Sequence, residues 1–72
     1  DKAALSDQKV VVAAVQMYMA EKNGALPTKD SDITPYIQGN AIPSTVTVTY
    51  ADPVVVKATS ASGTVLPAIN VD

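Results

Sequence analysis

LSDQKVVVAAVQMYMAEK, residues 5–22, decides the fold, because no other segment of the 72-residue chain is long and regular enough to be a substantial helix. It is rich in Ala, Met, Gln, Glu and Lys and holds no Gly or Pro. At about 1.5 Å per residue it would run roughly 27 Å. Its stop is written in Asn23-Gly24, residues that take the left-handed conformation closing a helix, and in Pro27 just beyond. Lys22 in the last turn suits the negative helix end. At the front, Asp1 and Ser6-Asp7 are alternative caps. The residues before Leu5 are themselves helix-compatible, so the helix is expected over about residues 2–22, with Asp1 a cut or processed start.

The helix is apolar on more than one side. At about 100° per residue, Ala4, Leu5, Val11, Val12, Val15, Tyr18 and Met19 gather on a broad face, interrupted only by Gln8. That face is assigned to the domain's own core. A second strip, Val10, Ala13, Ala14 and Met17, is expected to point the other way, among Lys2, Ser6, Asp7 and Glu21. A helix packed on one sheet has no use for this strip. These four residues are therefore the candidate subunit-interface residues.

Working outward, residues 23–43 contain three of the five prolines and two of the three glycines with little periodicity, and read as an ordered connecting loop. A loop this long in a small domain usually carries a short element, and Ser31-Asp32-Ile33-Thr34-Pro35-Tyr36-Ile37 supplies a helical turn. In it Ile33, Tyr36 and Ile37 dock on the core, Gly39-Asn40 ends the turn, and Pro43 opens the next element. From Ser44 the period becomes two. Val46, Val48 and Tyr50 alternate with Thr45, Thr47 and Thr49, a half-buried strand with a solvated threonine face. Asp52-Pro53 punctuates it, residues 54–59 make a second strand, and Ser60-Ala61-Ser62-Gly63 turns into a third at Thr64-Val65-Leu66. Pro67 puts that strand at an edge or ends it, and residues 68–72 continue it or fray. The expectation is one α+β domain over residues 1–72. A long N-terminal helix packs on a small antiparallel sheet, a meander over 44–71 with three strands and room for a fourth.

Composition narrows the chemistry. A chain of this length buries only about 60% of the surface its unfolded form exposes, so its stability is expected to be modest. With no Cys, His, Trp, Phe or Arg, the core falls to Val, Ile, Leu, Ala, two Met and three Tyr. The missing types are those that zinc sites, thiol nucleophiles and bidentate recognition of phosphate or guanine require. Five Lys against seven acidic residues give a net charge of −2 and a pI near 4.7, the wrong sign for a nucleic-acid or anionic-membrane binder. No apolar run reaches the roughly 18 residues of a membrane span, and the start has neither the basic nor the apolar region of a signal peptide.

Short motifs do not restore an active site. Ser6-Asp7-Gln8-Lys9 fits the Ser-x-x-Lys pattern of serine acyl-enzymes, but neither a Ser-Asp-Asn nor a Lys-Thr-Gly element follows. Asp30-Ser31-Asp32 opens like a calcium loop, yet Pro35 stands where the turn glycine belongs and no closing Glu follows. Asp52 before Pro53 is a turn residue, and no two of the seven acids are fixed about a common pocket. No catalytic, cofactor-binding or metal-ligating residue is assigned.

The order of parts nevertheless resembles the soluble region of type IV pilins and of type II secretion pseudopilins. The resemblance rests on Val15-Gln16-Met17-Tyr18-Met19-Ala20-Glu21-Lys22-Asn23-Gly24-Ala25-Leu26-Pro27-Thr28. This is similar to the family's helix end: a Tyr, a short polar run, Gly, then an aromatic or apolar residue and Pro-Thr. It continues in Asp32-Ile33-Thr34-Pro35-Tyr36-Ile37 and Ile42-Pro43, and covers roughly residues 5–50. The apolar half-helix of the family is absent, which implies truncation or a split subunit whose helical core is a separate chain. The family's C-terminal disulfide or calcium loop is not recognisable either. The resemblance implies a non-enzymatic subunit of a cell-surface filament, assembled from the inner membrane or periplasm, without cofactor. Its partners would be other pilin subunits or a separate helical pilin chain, and it would meet the membrane only through such a segment or chain. The alternative from the residues is a secreted binding module, adhesin or inhibitor, using the long loop or the threonine face. An apolar run of about 20 residues encoded upstream of Asp1 after a basic leader favours the first, and an ordinary signal peptide the second.

Overall fold

In the computed structural model, residues 2–71 are described; Asp1, one of the alternative caps, and Asp72, the last residue of the tail, lie outside them. Helix α1 spans Lys2–Glu21, α2 Asp30–Ile33, and a 3-10 turn Thr34–Tyr36; the strands are β1 Val46–Thr49, β2 Val54–Ala58 and β3 Ile69–Val71. The sheet is antiparallel with β2 in the centre. Helix α1 lies over it, packing most heavily on β2 and also touching β1 and β3. The fold is α+β, one N-terminal helix on a three-stranded antiparallel sheet.

The helix stops where its sequence says. Asn23 and Gly24 both take positive φ, and the Gly24 N–H reaches back to the Met19 carbonyl at 2.7 Å, the long return bond of a Schellman closure. Beyond it the connecting segment folds back onto α1. Ile33 and Ile37 are buried and Tyr36 packs against the core beside Tyr18, the two rings edge to face with centroids 6.5 Å apart. Asn40 and Gly39, again with positive φ, end this turn. Strand β1 alternates as its period of two requires, with Val46 buried, Val48 half-buried, and Thr47 and Thr49 exposed. On β2, Val54, Val56 and Ala58 face α1 and are buried.

Four sequence readings are corrected. The third strand is Ile69–Val71, while Thr64-Val65-Leu66 contributes only the isolated bridge Thr59↔Val65. Ala14 belongs to the core, 0% exposed. It stands three residues after Val11 and four before Tyr18, and such spacings share a helix face. Leu5 goes the opposite way, at 41% exposure, because neighbours on a helix are about 100° apart and Ala4 takes the inward position. Gln8, read as an interruption of the apolar face, lies at its centre, 1% exposed.

The position of Gln8 follows from a slip in the sheet. Between the pairs Val56↔Ile69 and Thr59↔Val65, the two residues Lys57 and Ala58 on one side face three, Leu66, Pro67 and Ala68, on the other. This is a β-bulge, and Pro67 within it has no N–H to offer the ladder. The Gln8 amide supplies donors there: Nε2 gives one hydrogen bond to the Val56 carbonyl at 3.1 Å and one to the Pro67 carbonyl at 2.9 Å. The preceding residue bonds as well: the Asp7 carboxylate accepts from the Thr45 hydroxyl at 2.9 Å, tying α1 to the approach to β1.

Gln8→Leu keeps the bulk and removes both donors, so unfolding by urea is expected to show a loss of about 1–3 kcal/mol, the usual consequence of losing one buried and one part-buried hydrogen bond. A loss below about 0.5 kcal/mol would mean that the bulge is satisfied without Gln8.

Candidate functional site

With one side of α1 spent on the sheet and the connecting segment, its outer side is the most distinctive surface of the molecule. Val10 is 42% and Met17 47% exposed, and half-buried Ala13 lies between them. The spacing of these residues, three and then four, places them on one stripe. Ala14, the fourth sequence candidate, is not part of it. Residues 10–20 carry no charged side chain, so neither the inner nor the outer face of this stretch has an ionic group. Charge on the helix is confined to its two ends.

The other sequence candidates are explained by local structure. Asp30 and Asp32 do not converge on an ion position. The Tyr50 hydroxyl donates to Asp30 Oδ1, and Asp32 Oδ2 accepts from the Thr28 N–H at 3.0 Å, closing the entry to α2. Both carboxylates lie in the first turn of α2, where negative charge suits the helix end. No group of three potential metal-ligating side chains occurs among the described residues. Ser6 and Lys9 are both exposed, the intervening Asp7 and Gln8 are engaged with Thr45 and the bulge, and no cleft of ligand size opens among the described residues. The Ser60–Thr64 turn is held by its own side chains, with Ser60 Oγ accepting from the Thr64 N–H at 3.1 Å.

No family model, curated protein or solved structure matches the chain. Within the described residues, no helix is long and apolar enough to cross a membrane.

Two tyrosines carry the electrostatic signature of the connecting segment. Burial is the first cause that pushes the Tyr50 hydroxyl well above the ordinary tyrosine range, followed by its hydrogen bond to Asp30 and the charges of Asp30 and Asp32. The Tyr36 hydroxyl is raised first by its interaction with the nearby Glu21 carboxylate. Both groups stay protonated in the fold after an unfolded chain would have begun to ionise near pH 10. Between that pH and the raised values the unfolded state holds fewer protons, so stability falls as pH rises.

The wild-type thermal midpoint is therefore expected to drop between about pH 9 and pH 11, and Tyr50→Phe to drop less over the same interval. Parallel pH profiles for the two proteins would remove Tyr50 as the source. At pH 7, Tyr50→Phe is expected to cost about 1 kcal/mol or a little more, for one partly exposed hydrogen bond to a carboxylate.

Proposed function

We propose that this chain is the head domain of a structural subunit in a type IV pilus-like or pseudopilus filament. It assembles through helix packing and has no catalytic activity. The observation that carries the proposal is the outer stripe of α1. A helix that already covers a three-stranded sheet also presents Val10, Ala13 and Met17 along a charge-free stretch. Contiguous exposed apolar surface marks sites of interaction with a partner.

The energetics suit repetition along a filament. Burying a Val or Met side chain contributes roughly 1.5–3 kcal/mol, too little at one stripe for a tight isolated pair but additive along many subunits. Ala13, being small, lets a neighbouring helix come close. The partner is a helix of another subunit or of a separate helical pilin chain, at the cell surface, with no nucleic acid and no cofactor. The order of helix, Asn-Gly stop, Pro-Thr, short turn and antiparallel sheet supports the same reading, as does the docking of Ile33 and Ile37 that gives the connecting segment a fixed shape.

Replacing Val10 and Met17 together with Glu tests the proposal in the complete assembly system and in the isolated chain. Filaments are expected to be lost while the thermal midpoint of the chain moves by no more than a few degrees, since both side chains are substantially exposed. Filaments that still form would sink the proposal, and a chain that unfolds would place the stripe in the core.

A further inference from the structure

Strand β1 is an edge strand whose outer side has no strand beside it among the described residues. The Thr59 N–H bonds to the Thr45 carbonyl at 2.9 Å, which sets the phase of the β1–β2 ladder. Thr45, Thr47 and Thr49 turn their backbone groups toward β2, and Val46, Val48 and, by continuation, Tyr50 turn theirs outward. One outward group is already used, because the Val46 N–H donates to the Pro43 carbonyl at 3.0 Å. What is left among the described residues is the Val46 carbonyl and both groups of Val48 and of Tyr50.

Natural edges are blunted by charge, proline, a bulge or shortness. The opposite edge has such devices, since β3 spans only three residues and is entered through the bulge with Pro67. Strand β1 has none. Its register against β2 is regular, residues 44–51 contain no Pro or Gly, and residues 41–51 contain no charge. Helix α1 packs on the face of the sheet, most heavily on the central strand, and touches β1 from that face.

We propose that the β1 edge pairs antiparallel with the β1 edge of a second copy of this chain, about a two-fold axis at Val48. In that register four of the five free groups of each copy find partners, and only the Tyr50 carbonyl, facing the occupied Val46 N–H, does not. Each Val48 N–H meets the Val48 carbonyl of the other copy, and each Tyr50 N–H meets the other Val46 carbonyl, so the occupied Val46 N–H is not required. Thr47 of one copy stands opposite Thr49 of the other in a pair without mutual backbone bonds, where Cα atoms approach to about 4.5 Å. Threonine pairs are favourable across strands, and the uncharged segment sets no like charges against each other. The product is a continuous six-stranded sheet with both helices on one face, a contact separate from the outer stripe of α1.

Because the chain has no cysteine, single thiols report this register. Chains carrying Thr47→Cys and chains carrying Thr49→Cys are mixed and oxidised mildly. Cross-links between the two kinds are expected to exceed those within either kind about tenfold, since only the mixed pair brings the thiols opposite. A random distribution of cross-links overturns the proposal. In a Val48→Pro background, which removes an N–H with no partner among the described residues, the excess is expected to fall to the random level with circular dichroism unchanged. Persistence of the excess in that folded background also overturns it. The excess must further survive Val10→Glu with Met17→Glu; its loss there would assign the association to α1 and reject the β1 register.

Discussion

Gln8 is the interaction on which the rest of the structure depends. Its side-chain amide reaches through the apolar face of α1 to two carbonyls, one on the central strand and one in the bulge before β3. A buried amide without partners would oppose packing of that face, whereas two good bonds turn the same residue into a register pin. The helix is fixed along its axis and the bulge is fixed along the strand by one side chain. Val11 and Val15 then bury against Val54 and Val56 in a single arrangement.

The helix, its stop, the β1 alternation and the docking of Ile33 and Ile37 were legible in the sequence, because each rests on local chemistry: a period, a left-handed Asn-Gly, a Pro after a turn. The third strand was not. Thr64-Val65-Leu66 has the stronger strand composition, but Ile69–Val71 wins its place by pairing with β2 across a bulge that no local pattern announces. Tertiary context chose between two apolar runs a few residues apart.

The candidate stripe was legible in part, for a related reason. Val10, Ala13 and Met17 are outward as their spacing requires, but Ala14 faces inward at the shared rim of two faces. Alanine is small enough to be placed on either side by periodicity alone, and it is the connecting segment packing on α1 that broadens the buried side. Gln8 shows the complementary error. A polar residue at the centre of an apolar stripe was a signal that something polar waits opposite, and the residue that creates the need, Pro67, is 59 positions away.

That separation has a kinetic consequence. The α1 end, its stop and the turn at Ile33–Ile37 can form from neighbours in sequence, and the β1–β2 hairpin spans only a short turn. The Gln8–Pro67 bond closes a far longer loop, and such closures lose entropy before they return any contact energy. Packing of α1 on the sheet, which Gln8 completes, is thereby the step that waits on the longest loop, while β3 pairs with β2 from nearby in sequence. Until that closure is made, the apolar face of the sheet at Val54 and Val56 has no helix over it, so the surface that waits longest for cover is the one that becomes the core.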